Sequence, residues 1–534
     1  EALCKTAGQS FCNSSPFMLK DLTSRAQQQK LKSDFILYLD GFSPNVQEIL
    51  EKFKFRNQID TMTEADILGA VIEKFVSPTI NLSPYPVLGD MDEVKISGLD
   101  NHTMGIIFEE LIRKFNEENN EEAGEHFTPR DVVELMADCI FIPVANKIMD
   151  TTYSVYDGAS GTGGMLTVAH NRLEKLALEH NKKVSIHLFG QEINPETYAI
   201  TKADMLLKGE GEEAEHIIFG STLSNDGFPS SQFDFMLSNP PYGKAWKTDA
   251  DKLGGKKDIT DPRFVTNFAG VSDFSMIPRV SDGQMLFMLN NIAKMKGNTV
   301  LGSRIAEVHN GSSLFTGDAG QGESNARRYI IENDLLECII ALPEKMFYNT
   351  GIGTFIWILS NKKEARRKGK IQLIDATSLK SPLRKNLGEK NCELSPELRQ
   401  QILDLYMNFE ENEYSKIFAN HEFGYWKVTV LQPELDSDGK PVCDKKGNLK
   451  ADKEKTDTEQ IPFTYKGGIS AFMEKEVLPF APDAWIDEKK TQIGYEISFT
   501  KYFYKPIKLR EIVDIIADIK ALEQETDGLL AEII

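Results

Sequence analysis

The stretch FDFMLSNPPYG, residues 233–243, joins an apolar run to a side-chain amide, two prolines and an aromatic ring. The run reads as a buried strand. Proline has no N–H for a sheet ladder, so the strand stops at Ser238 and a rigid corner follows. Asn239 offers its side-chain carbonyl there, and Pro240 keeps its backbone carbonyl while lacking an N–H. Two acceptors side by side suit an amino group with two hydrogens. Tyr242 offers a flat face to a planar ring, a contact that contributes roughly 1–3 kcal/mol per base in nucleic-acid sites. The corner is expected to hold an exocyclic amine on an aromatic heterocycle.

Around this corner, short strands alternate with helices. Strands are expected over 153–156, 186–190, 216–219, 233–237, 304–308, 337–342 and 354–359, with helices over 163–178, 195–207, 283–296 and 324–332. That alternation implies a largely parallel α/β sheet covered on both faces, with ligands beyond the carboxyl ends of its strands. YDGASGTGGML, residues 156–166, ends the first strand and opens a helix. Its glycines let the backbone turn tightly and approach a ligand. It lacks the Gly-Lys-Ser/Thr ending of a phosphate loop. Asp157 would repel a pyrophosphate and attract a cationic amine. The next strand ends in FGQEIN, which places Glu192 where a carboxylate suits the two hydroxyls of a ribose. An isolated glycine turn is often a mere bend, but Glu192 and the corner together point to a cofactor. A ligand with an ammonium group and a ribose but no phosphate is S-adenosyl-L-methionine (SAM).

The chain has 534 residues, too many for one core, so two to four domains are expected. No apolar run approaches a membrane span and no secretory signal opens the chain, so a cytoplasmic protein with no membrane contact is expected. Cysteines 4, 12, 139, 338, 392 and 443 form no CxxC pair, which fits reduced thiols and argues against a zinc site or disulfide framework; no metal is expected. The net charge of −20 is not that of a protein gripping DNA alone, although KAWKTDADKLGGKK (244–257) and KKEARRKGK (362–370) are locally basic. The histidines show no ligand spacing and read as structural or surface residues. PDAWIDEK (482–489) superficially matches a nuclease pattern, but its acids are too close together for separate strands, so no cleavage activity is expected. Residues 17–122 read as helical and NEENNEEAGE (116–125) as a linker. The segment 436–448 reads as an exposed hairpin or loop. The tail carries Ile512, Ile515, Ile519, Leu522, Leu529 and Ile533 on one stripe, readable as a partner-docking helix or as packing on its own domain.

NPPY after such a glycine loop resembles the signature of adenine-N6 methyltransferases. The resemblance extends to EHFTPRDVVELM, DGASGTGGML, GQEINPETYAITKADMLLKG, SRIAEVHNGSSLFTGDAG, DLLECIIALPEKMFYNTGIGTFIWILSN and GYEISFTKYFY, which run in order from residue 125 to 504. Together these blocks look like the modification (M) subunit of type I restriction-modification systems. The family implies a Rossmann-like SAM-dependent methyltransferase sheet with an N-terminal helical domain and a C-terminal helical extension. Here the domains would be 1–122 (helical), 123–385 (methyltransferase), 386–505 (mixed, with the exposed hairpin) and 506–534 (docking helix). It implies cofactor contacts from Phe127, Thr128 and Pro129, from Asp157, Gly158, Ala159, Ser160, Gly161, Thr162 and Gly163, from Glu192, and from Ser221 and Leu223 of FGSTL. The catalytic block falls on Asn239, Pro240, Pro241 and Tyr242, where many relatives carry Phe in the last place. The implied reaction is direct methyl transfer to a flipped adenine, without the cysteine nucleophile that a cytosine-C5 enzyme needs. The segment 259–278, a long loop after the corner, is expected to close over that base. Implied partners are double-stranded DNA, a specificity (S) subunit that supplies the target sequence, and a restriction (R) motor-nuclease, with two M chains per complex. The alternatives are a protein glutamine-N5 methyltransferase, which also uses NPPY, and a catalytically silent assembly subunit.

Overall fold

A computed structural model describes residues 10–24, 28–83, 85–89, 93–99, 107, 111, 128–207, 211–348, 350–437, 440–443, 447, 449–504 and 511–533. The expected helix around 102–118 and the linker at 116–125 lie largely or wholly outside the described residues.

Four short helices open the chain: α1 (Gln28–Asp40), α2 (Pro44–Lys52), α3 (Phe55–Glu64) and α4 (Leu68–Phe75). Leu22, Leu31, Phe35, Leu39, Ile59, Leu68 and Ile72 make their common core. Helix α2 faces the other way. Its Ile49 joins the main core, and its Glu48 accepts hydrogen bonds from Tyr198 Oη (2.6 Å) and Lys202 Nζ (3.0 Å).

The main body alternates as the sequence pattern requires: α5 (Arg130–Phe141), β1 (Thr152–Asp157), α6 (Gly164–Glu179), β2 (Ser185–Glu192), α7 (Pro195–Leu207), β3 (Ile217–Phe219), β4 (Phe235–Ser238), α8 (Gln284–Ala293), β5 (Arg304–Asn310), α9 (Gly322–Glu332), β6 (Leu336–Ala341), β7 (Thr354–Ser360), β8 (Lys370–Asp375), α10 (Pro396–Asn408) and β9 (Ser415–Ala419). Nine strands form one sheet in the order β9-β8-β6-β7-β5-β4-β1-β2-β3. Seven run parallel, while β7 and β9 are reversed. Strands β5 to β7 are buried almost throughout, because helices cover both faces. This is the expected α/β architecture, with two differences. The hairpin connection that brings β7 in antiparallel between β5 and β6 was not readable from alternation alone. The sheet also continues past residue 385, because α10 returns the chain to its edge as β9.

The order reverses at β1. The chain leaves it towards β2 and β3, then returns to its other side as β4. The ends of β1 and β4 therefore diverge into a crevice. Beyond the sheet, β10 (Gly424–Leu431) pairs with β11 (Asp457–Pro462), β12 (Trp485–Ile486) and β13 (Gln492–Tyr495). Bridges Leu435↔Pro441 and Cys443↔Leu449 fall in the expected hairpin, whose residues 438, 439, 444–446 and 448 lie outside the described set. Residues 498–534 form a separate compact unit that contains α11 (Ile512–Ile533). No described helix is long and apolar enough to cross a membrane.

Candidate active site

The crevice opens into a cleft of about 190 Å³. Its floor is the glycine loop. Gly163 sits at φ +76°, and a Cβ there would lie 2.7 Å from Thr201 Cγ2, so both conformation and space exclude a side chain. The turn then feeds α6, and the Thr201 hydroxyl holds it by donating to the Gly161 carbonyl (2.8 Å). At the tip of β2, Glu192 accepts from the Gly161 N–H (2.8 Å) and the Asn194 N–H (2.7 Å). This fixes its carboxylate against the loop. Thr128, Ala159, Ser160, Thr162, Glu192, Ser221, Leu223, Asn239 and Pro241 all line the cleft.

The corner stands where the sequence places it. Asn239 Nδ2 donates to Thr128 Oγ1 (3.0 Å), while Asn239 Oδ1 is buried with no hydrogen-bond partner. An unpartnered buried carbonyl costs free energy unless a ligand donor meets it. Asp157 carries a second such atom. Its Oδ1 accepts from the Ala159 N–H (3.0 Å) and the Ser238 hydroxyl (2.9 Å), but Oδ2 is buried and unpaired. Burial, reinforced by the nearby Glu192 and Glu307, pushes the Asp157 carboxyl up to about 7. The glycine cradle and the loop-braced acid Glu192 fit a sulfonium amino acid carrying a nucleoside.

Some expected contacts are rearranged. Asp157, Gly158 and Gly163 form the loop's underside and surface, but only Gly158 of these three lines the cleft. Asp157 is 1% exposed, because it buttresses the loop from beneath and ties it to β4. Pro129 is buried at the start of α5, where its carbonyl accepts from the Val132 and Val133 N–H groups (3.0 and 3.1 Å). Pro240 is also buried. Tyr242 packs against the main core instead of facing the cleft. The two prolines turn the chain, and burial pushes its phenol up to about 12. Phe127 lies outside the described residues.

The segment after the corner is built, not slack. It holds a helix at Lys247–Lys252 and a ribbon of Val265–Phe268 with Val271–Ser275, over buried Trp246, Ile259, Phe264 and Met276. Arg263 donates to the Thr222 carbonyl (2.7 Å) and the Leu223 carbonyl (2.8 Å), clamping the turn beyond β3. Arg263, and the cleft residues Trp246 and Asp249, were missed by sequence reasoning. An acid and a tryptophan inside a basic run were the available signal. The histidine spacing likewise hid one trio, since Glu213 accepts at 2.7 Å from His187 Nδ1 and at 3.3 Å from His216 Nδ1. The Leu188 N–H also donates to Glu213 (2.6 Å), so this cluster is satisfied by its own hydrogen bonds.

Comparison with known proteins agrees with this geometry. Residues 99–424, more than half of the chain, match the N-6 DNA Methylase family, and the chain belongs to that family. It is 28% identical over 398 residues to the type I restriction enzyme MjaIX methylase subunit of Methanocaldococcus jannaschii, covering 73% of this chain and 63% of that protein. It is 27% identical to the HindI methylase subunit of Haemophilus influenzae, covering 57% of this chain and 58% of that one. The chain thus spans less than two thirds of these relatives' length. The crystal structure of a type I restriction-modification methyltransferase subunit from Streptococcus thermophilus superposes with a TM-score of 0.58 at 20% identity, covering 79% of this chain and 80% of that one. The sheet is therefore that of a methyltransferase.

Proposed function

We propose that this chain is the modification subunit of a type I restriction-modification complex, an adenine-N6 methyltransferase acting on double-stranded DNA with SAM. The observation that carries the reading is Asn239 Oδ1, a buried acceptor without a partner, on a residue that lines the same cleft as the glycine loop and Glu192. Family membership and the type I methylase relatives support it.

When bound, SAM supplies an activated sulfonium methyl group. The chain's own residues do the rest. Glu192 would accept the ribose hydroxyls, and Asp157, beneath the glycine loop, would offset the cofactor's positive charge through its field without touching it. Asn239 Oδ1 and the Pro240 carbonyl would accept the two hydrogens of the adenine amine and so orient its lone pair. The amine, once methylated, would release one proton to solvent. Thr128 holds the Asn239 amide in the orientation this needs. Positioning and fixed dipoles supply the acceleration. With a net charge of −20, a grip on DNA must come from a local basic surface or from a partner, and a specificity subunit that supplies the target sequence fits the second route. Two M chains and a motor-nuclease would complete the assembly.

The test uses the full chain co-expressed with a specificity subunit, tritiated SAM and target DNA. Label should appear on adenine N6. Asn239→Ala should lower turnover at least a hundredfold while SAM affinity stays within about threefold. Label on protein, or full turnover in Asn239→Ala, would overturn the reading.

A further inference from the structure

Beyond Glu192 the cleft is bounded by the turn after β3 and by the helix Lys247–Lys252, both lining the same cavity. Asp249 projects from that helix into the wall of the cleft. Its Oδ1 accepts from two hydroxyls, Ser221 Oγ at 2.7 Å and Ser224 Oγ at 2.6 Å. Its Oδ2 receives no hydrogen bond from any described residue. Ser221 is spent in this arrangement. Its hydrogen goes to Asp249, and its oxygen accepts from the Leu223 N–H (3.2 Å) and the Ser224 N–H (3.4 Å). Ser221 thus acts as a tether, and the group it presents to the cleft is another residue's carboxylate. Trp246 and Phe287 add aromatic faces to the same cavity.

On the reading that the cleft takes SAM, we propose that Asp249 Oδ2 is the acceptor for the 6-amino group of the cofactor's own purine. The carboxylate comes from a segment ten residues past Asn239, not from the turn after β3 where the sequence points. That segment is fastened behind the catalytic corner. The Trp246 N–H donates to the Val280 carbonyl (3.0 Å), Trp246 Nε1 to the Arg279 carbonyl (3.0 Å), and the Gly243 N–H to Asp282 (3.1 Å). Recognition of the cofactor's base and order in the chain that follows the corner are thereby one event. A carboxylate accepts from an amine and repels a 6-oxo group, so the site discriminates adenosyl from inosyl ligands.

Isothermal titration of the full chain with S-adenosyl-L-homocysteine and S-inosyl-L-homocysteine tests this. The wild type should prefer the adenosyl ligand by about tenfold to a hundredfold, the range for one hydrogen bond to a charged group. In Asp249→Asn the preference should collapse to within about threefold, since an amide can turn its N–H₂ to a 6-oxo group. The double variant Ser221→Ala/Ser224→Ala keeps the carboxylate but frees it, and should lose part of the preference. Thermal melts confirm that each variant is folded. Undiminished preference in folded Asp249→Asn would overturn the inference while leaving the SAM reading in place. If the wild type binds neither ligand, the SAM reading itself fails and this inference fails with it.

Discussion

Asp157 is the group through which pH should act on the cleft. Its carboxyl is 1% exposed, and burial, with Glu192 and Glu307 adding to it, pushes it up to about 7 against the hydrogen bonds from Ala159 and Ser238. Below that pH the group is mostly protonated in the free protein. A cation seated in the cleft across the loop favours the carboxylate through its field, so binding should expel a proton. In the limit that the cofactor binds the carboxylate form alone, the observed dissociation constant scales as one plus ten to the power (pKa − pH). Relative to the alkaline limit, affinity should be roughly twofold weaker at pH 7 and about elevenfold weaker at pH 6, with each further unit costing about 1.4 kcal/mol. Stability follows the same carboxyl. The native state holds its proton above the ordinary carboxylate range, so Asp157's contribution falls as pH rises from about 4 towards 7 and is level above that. The assay is titration calorimetry with S-adenosyl-L-homocysteine from pH 5.5 to 8.5, in two buffers of different ionisation heat to count protons. Among the described residues no histidine lines the cleft to mimic the effect. Asp157→Asn keeps the shape and cannot titrate, so its profile should be flatter. A flat wild-type profile without proton release, or an unchanged slope in Asp157→Asn, would show that Asp157 does not sense the cofactor's charge.

Two further outcomes follow from named bonds. Thr128→Val removes the acceptor that holds Asn239 Nδ2 and should lower kcat by about fivefold to thirtyfold, on the order of 1–2 kcal/mol, with cofactor affinity nearly unchanged; Thr128→Ser should restore most of it. Glu337→Gln should destabilise the fold by roughly 3–5 kcal/mol in urea denaturation, because it strands the buried Arg304 guanidinium that Glu337 now accepts from at 2.6 Å, whereas the double variant Glu337→Gln/Arg304→Met should recover much of the loss. Burial alone would raise the Glu337 carboxyl, but Arg304 and Tyr406 outweigh it and hold it below its ordinary value. That contribution is therefore present at neutral pH and is lost only in acid, as pH falls through the depressed value.

The parts of the fold that were legible are those whose physics is local. Strands 336–341 and 354–360 are nearly continuous apolar runs because both sheet faces are covered, and such runs stand out in any reading, whereas strand 304–310 mixes buried Arg304, Glu307 and His309 with its apolar residues. The reversal of β7 was not legible, because nothing in TFIWILS distinguishes a parallel from an antiparallel partner. The site divides the same way. Gly163 and Asn239 carry their roles in residue type and immediate context. Asp249 carries its role only through Ser221 and Ser224, 28 and 25 residues away, and no local pattern in KAWKTDADK announces that partnership. Tyr242 shows the converse. Its ring was readable, but the direction it faces depends on what the core leaves open.

These long-range contacts tie the glycine loop to the NPPY corner. The two sit on strands 81 residues apart in sequence, joined beneath the surface by one acid that accepts from Ala159 on the loop and from Ser238 at the corner's base. Thr128 ties the same corner to α5, and Asp249 brings the segment after the corner back to the turn beyond β3. Each of these ties is made by a side chain, so the placement of the loop, the corner and the turn beyond β3 relative to one another is set by side chains as well as by the sheet. That arrangement suits a reaction with no covalent intermediate, in which alignment is the main thing the protein contributes.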